Sequence, residues 1–150
     1  MKAFGSSCLV FAYLILGGSE LSKIVLGLYF IRVFPCLNPD GVVVGNARTG
    51  VEGADLNRVW KNPDEKLYPV IWSTLKLMKT MKQEREIEMF CDLHTHSDRV
   101  NSFIYGCPLP VLQTFAIWSK THSLPKMMAK LTEYFSYKDC SFTIHPSKVF

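Results

Sequence analysis

The run Glu88-Met-Phe-Cys-Asp-Leu-His-Thr-His-Ser97 constrains this chain more than any other stretch. Its β-prone residues give way to two histidines and an acid. Read as a strand over 87–94, successive side chains point to opposite faces. Ile87, Met89, Cys91 and Leu93 then share one face, and Phe90, Asp92, His94 and His96 the other. Strand ends in α/β sheets are where metals and substrates bind. A neutral imidazole is a good zinc ligand, and a nearby acid can orient it. The spacing fits equally well two polar loop histidines behind a core strand, because one His-x-His falls short of the three protein ligands of a catalytic zinc.

At 150 residues the chain is one domain or part of one. Its 48% hydrophobic and 20% charged content fits a globular fold rather than disorder. The net charge of +4 comes from scattered Lys and Arg. Lys76, Lys79 and Lys82 read as a solvated helix face, so no nucleic-acid partner is expected. Five cysteines, widely spaced and without Cys-x-x-Cys, read as reduced, buried thiols of a cytoplasmic protein. Lys2, the apolar run 8–16 and Gly17-Gly18-Ser19 imitate a secretory leader. The run is too short to cross a membrane, which takes about 20 apolar residues. A second apolar element follows closely, so a buried first helix is the preferred reading and no membrane partner is expected.

Helices are expected over 7–16, buried nearly all round, and over 20–26, capped by Ser19. A strand is expected over 28–34, ended by Pro35. Cys36-Leu-Asn-Pro-Asp-Gly41 signals a turn, with 42–45 extended after it. Residues 46–59 read as a polar loop holding two arginines. The clearest helix spans Pro69–Glu84, with Val70, Ile71, Leu75, Met78 and Met81 as its core stripe. Strands over 101–106 and 140–144 and helices over 112–120 and 124–135 complete an α/β pattern, a mixed β-sheet flanked by helices.

Several pieces resemble one family in the same order. Pro35-Cys-Leu-Asn-Pro-Asp-Gly-Val42, Gly45-Asn-Ala-Arg48, Asp55-Leu-Asn-Arg58, Asp92-Leu-His-Thr-His-Ser97 and Phe103-Ile-Tyr-Gly106 are similar to stretches of the cytosolic carboxypeptidases. These are zinc metallocarboxypeptidases that trim glutamates from tubulin and other acidic protein tails. The resemblance runs over about residues 6–148 and implies that residues 1–150 are a partial metallocarboxypeptidase catalytic domain. It implies that His94 is a zinc ligand and that Arg48 polarises the scissile carbonyl. It also implies that Asn57 and Arg58 grip the substrate's terminal carboxylate. The chemistry agrees: Arg offers a forked, always-charged donor set to a carboxylate, and a guanidinium aimed at developing negative charge stabilises it. Asp40 and Asp55 are expected to order their loops. Asp92 could support His94, and His96 could line the pocket. His122 and His145 have ordinary polar contexts.

The family's His-x-x-Glu motif, which supplies two zinc ligands, does not occur in this sequence, and neither does its late glutamate-bearing strand. A fragment, an incompletely read gene or a degenerate relative is therefore expected, inactive as it stands. One histidine does not retain zinc, and loss of a general base alone removes a factor of roughly 10² to 10⁴. Two other readings remain. One is a non-catalytic protein that binds acidic tails through Arg48 and Arg58. The other is a metal-dependent phosphoesterase of the polymerase-and-histidinol-phosphatase type, whose opening motif Asp92-Leu-His-Thr-His-Ser97 also resembles.

Overall fold

The computed structural model describes residues 11–46, 48–96, 98–106 and 115–143. They belong to two compact units, Met1–Thr95 and His96–Val149.

The first unit begins with helix α1, residues 11–16. The expected start at 7 lies outside the described residues. Its burial is not as expected: Tyr13, Leu14 and Leu16 are exposed. Gly18, at φ +74°, turns the chain. Helix α2 follows, Glu20–Leu28. Ser19 Oγ caps it by accepting from the Ser22 N–H at 3.1 Å, and the Ser22 hydroxyl donates back to the Ser19 carbonyl at 2.8 Å.

The turn at 36–41 opens a helix rather than an extended piece. Helix α3 spans Pro39–Val44 and replaces the expected extension over 42–45. Asn-Pro-Asp is also a helix-start signal. Asn38 Oδ1 accepts from the Gly41 N–H at 3.1 Å, Pro39 supplies a preset φ in the first turn, and Asp40 is an acid there. Gly45, left-handed at φ +84°, stops the helix. A Cβ at Gly41 would collide with the Asn38 amide, so a larger residue there would displace the cap.

Helix α4, Pro69–Glu84, matches the expectation at both ends. Asp64 leads into it, its carboxylate accepting from the N–H groups of Lys66 at 2.8 Å and Leu67 at 2.9 Å. Ile71 is buried, and Val70, Leu75, Met78 and Met81 are half-buried, while Lys76, Lys79 and Lys82 are exposed. The expected stripe is therefore the inward face.

Residues 28–34 and 87–94 do not form strands: 28 closes α2, and the rest carries no ladder among the described residues. Extended propensity becomes a strand only when a neighbour takes up the backbone N–H and C=O groups. Phe90 is held instead by its ring, edge-on to Trp60 at 6.2 Å between centroids.

In the second unit one helix, α5 (Phe115–Leu131), replaces the two expected over 112–120 and 124–135. Residues 112–114 lie outside the description. Pro125 sits inside α5 and removes one backbone hydrogen bond, but its fully buried ring offsets that loss. The expected strands over 101–106 and 140–144 reduce to two parallel bridges, Ser102 with Phe135 and Tyr105 with Ser141, with 144 outside the description. His122 is buried between Trp118 and Phe142, with ring centroids at 4.7 and 3.9 Å. It is a core histidine. Cys140 is half-buried, whereas Cys36 and Cys91 are exposed thiols, contrary to expectation. Cys8 and Cys107 lie outside the description.

Among the described residues, Ile71 and Phe135 are the buried hydrophobic side chains. Ile71 belongs to the first unit and Phe135 to the second, so Ile71 is the buried hydrophobic side chain of its unit among the described residues. Ile71→Ala is expected to lower unfolding stability by about 2–4 kcal/mol, read as a shift in the midpoint of urea denaturation, whereas Val43→Ala, at an exposed position, should leave the midpoint in place.

Candidate functional site

The loop between α3 and α4 is organised around Asp55. Thr49 and Asp55 pair as an antiparallel bridge, and the Gly50 N–H donates to the Ala54 carbonyl at 3.0 Å. Gly53 turns the loop at φ +76°. Asp55 then caps a short 3₁₀ turn, Leu56–Arg58, with Oδ1 accepting from the Asn57 N–H at 2.9 Å. Its other oxygen, Oδ2, accepts from Arg48 Nε at 2.6 Å and lies 4.0 Å from Arg58 Nε. Both carboxylate oxygens are thus engaged, and the two arginines named from sequence are drawn to one point. Asp55 orders the arginine loop as expected.

Burial pushes the Asp55 carboxyl up. The hydrogen bonds from Arg48 and the Asn57 N–H and the charges of Arg48 and Arg58 outweigh it, so the net effect holds Asp55 below its ordinary 3.8. Its side chain is 20% exposed, against 63% for Arg48 and 36% for Arg58. Asp55 is the anchor, and the guanidinium groups reach outward. Beside the loop lies an open cleft lined by Leu37, Asn38, Asp40, Glu52, Tyr68 and Ile71, among others. Arg48 and Arg58 do not line it.

His94 is exposed. Its Nδ1 lies 2.6 Å from the Thr95 carbonyl oxygen. A carbonyl only accepts, so Nδ1 carries the proton and Nε2 the lone pair of the neutral ring. The Trp60–Phe90 contact ties the chain just after the arginine loop to the chain just before His94. His96 Nδ1 accepts from the Asp98 N–H at 3.2 Å, and its ring packs edge-on against Phe103. Asp92 is exposed. Beside it the Cys91 thiol is pushed up by desolvation and by the Asp92 charge, which leaves it poorly ionised at neutral pH. His145 lies outside the description.

Among the described residues no three His, Cys, Asp or Glu side chains come together to hold a metal ion. The donor set therefore does not fit a zinc site by itself, and no chemical step is assigned to zinc here. Also among the described residues, no helix is long and apolar enough to cross a membrane.

No protein-family profile matches the chain. Curated relatives do. The chain is 36% identical over 135 residues to cytosolic carboxypeptidase 3 of Bos taurus, a match covering 89% of this chain and 13% of that protein. It is 36% identical over 135 residues to cytosolic carboxypeptidase 2 of Homo sapiens, covering 89% of this chain and 15% of that protein. With cytosolic carboxypeptidase 2 of Danio rerio it shares 39% over 121 residues, 80% of this chain and 16% of that protein. All three relatives are cytosolic carboxypeptidases. The chain belongs to the cytosolic carboxypeptidase family, and it spans about a seventh of the length of these relatives.

The depressed Asp55 pKa carries a sign. An acid whose folded pKa lies below its unfolded value, about 3.9, adds stability that is complete above that value and is lost as pH falls through the folded pKa. The wild-type loop should therefore hold its shape from neutral pH down to about 5 and loosen below about 4. Asp55→Asn should be loose at neutral pH and should show less of that acid transition. Amide hydrogen exchange at Asn57 across the range reads both outcomes.

Proposed function

We propose that this chain is the substrate-recognising part of a zinc-dependent metallocarboxypeptidase that removes C-terminal or side-chain glutamates from acidic protein tails such as tubulin's, in the cytoplasm. In this reading the chain is part of an α/β catalytic domain, a mixed sheet flanked by helices. Arg58 and the Asn57 side chain bind the terminal carboxylate, Arg48 faces the scissile carbonyl, and His94 is one of three zinc ligands. The observation that supports it most is the convergence of Arg48 and Arg58 on Asp55.

The chemistry follows from that cluster. Two guanidinium groups and one carboxylate leave the Arg48–Asp55–Arg58 cluster with one net positive charge, although Glu52 brings the loop as a whole to zero; attraction for an anion is therefore local to the cluster. Asp55 occupies Arg48 Nε, which leaves the outer nitrogens of the fork to meet an oxygen. A positive group held in place before the carbonyl oxygen gains charge costs no reorganisation during reaction. Zinc would be held by His94 together with two further ligands and would supply Lewis-acid chemistry there. The chain's own residues supply binding and orientation.

One observation favours a second reading, in which the chain holds acidic tails without cutting them: among the described residues the arginines are gathered but a set of three metal ligands is not. A single experiment separates the two. The 150-residue chain is given zinc and a peptide ending in glutamates, and both released glutamate and bound peptide are measured. Arg58→Gln should weaken binding of the free-carboxylate peptide about tenfold, the loss of one charge-assisted bidentate contact. Arg48→Gln should weaken it less, and should matter most for release. Binding without release selects the holding reading. Unchanged binding by Arg58→Gln rejects the carboxylate site.

A further inference from the structure

Phe30 is an exposed aromatic with two cations on it. Arg32 Cζ lies 5.1 Å from its ring centroid and Arg85 Cζ 4.7 Å. Arg32 comes from the extended run after α2, and Arg85 is the C-cap of α4. Each is held by attraction to the ring's electron-rich face. Both distances run to the same point, so the guanidinium groups are no farther apart than their sum. The described ion pairs involve Lys23, Arg48 and Arg58, and neither Arg32 nor Arg85 has a carboxylate within pairing distance among the described residues. Glu84 and Glu86 flank Arg85 in sequence without pairing to it. The arginine loop carries its own counter-charge in Asp55, but this pair does not.

We propose that Phe30, Arg32 and Arg85 form a clamp for two carboxylates of an extended acidic peptide, a second anion site apart from the arginine loop; its role in holding a tail rests on the function proposed above. In an extended chain, alternate side chains lie on one face about 6.8 Å apart, a span that Glu-x-Glu can lay across two guanidinium groups on one ring. Nucleic acid fits less well. Phosphate-backbone binding draws on many contacts, roughly 6–10, and here two guanidinium groups are on offer.

The test uses the full chain and a fluorescent oligoglutamate peptide with an amidated C-terminus, which offers no terminal carboxylate to Arg58. Fluorescence anisotropy at low salt reads the affinity. Arg32→Gln and Arg85→Gln should each weaken binding about tenfold, and the double variant should lose little more than that, because the two carboxylates bind as a unit. Phe30→Leu keeps apolar bulk but not the ring face and should weaken binding about threefold. Lys138→Gln removes a charge elsewhere and sets the level for net-charge effects. Circular dichroism checks that each variant folds; the three clamp residues are exposed, so folding should persist. Three results would overturn the clamp: losses in Arg32→Gln and Arg85→Gln no larger than in Lys138→Gln, binding confined to the free-carboxylate peptide, or displacement by duplex DNA at matched charge with no effect of either variant. Binding confined to the free-carboxylate peptide and lost in Arg58→Gln would leave the proposed function standing while removing the clamp. Clamp binding of the amidated peptide, with free and amidated peptides indistinguishable in Arg58→Gln and wild type, would do the reverse.

Discussion

The Asp55 carboxylate is the contact on which the site depends. It is the least exposed member of its cluster and has two oxygens to place. One takes the Asn57 N–H and fixes the 3₁₀ turn, and the other takes Arg48 and draws in Arg58. Burying an acid costs free energy unless donors compensate it, and here the donors are the Asn57 N–H and the Arg48 guanidinium. Structural and chemical demands coincide, so the loop cannot keep its shape and lose its charge arrangement separately. The depressed carboxyl pKa is the thermodynamic trace of that coincidence.

Asp55 is itself placed by a short relay of polar contacts. Asn38 caps α3 through Oδ1 and donates through Nδ2 to the Thr49 carbonyl at 3.1 Å. Thr49 pairs with Asp55 across the Gly53 turn. One amide therefore joins a helix start to the arginine loop. Both ends of the Asn38 side chain are thus engaged, and a Cβ at Gly41 would push the amide out of both contacts. Serine could cap the helix, since capping asks only for an acceptor, but it has no second donor arm to reach Thr49.

What was legible in sequence was local. Helix α4 showed in its apolar stripe and its opening proline, and α2 in Ser19. The arginine loop showed in ordered motifs, since its parts lie within a dozen residues and act on one another. Helix α3 was signalled as well, but Asn-Pro-Asp-Gly serves turns and helix starts alike, and only Gly45 as a left-handed stop decides between them. The two helices expected over 112–120 and 124–135 join in α5, and the burial of Pro125 within it could not be read from spacing. The strands over 28–34 and 87–94 failed for a different reason. A strand is a relation between two backbones, and alternation along one of them specifies a face but no neighbour. The Phe30 clamp was invisible on the same grounds, because Arg32 and Arg85 meet only through the fold.

The same distinction between local and assembled features bears on which part of a carboxypeptidase's work such a stretch can retain. The arginine cluster needs only residues 38–58, one loop whose charges hold one another, and charge-assisted bonds keep their direction even near the surface. Metal chemistry needs three ligands brought from separate parts of a chain at fixed distances, and among the described residues no such set comes together. Under the proposed function recognition is the more self-contained part, since it depends on one half-buried carboxylate and hydrolysis on an assembled cage.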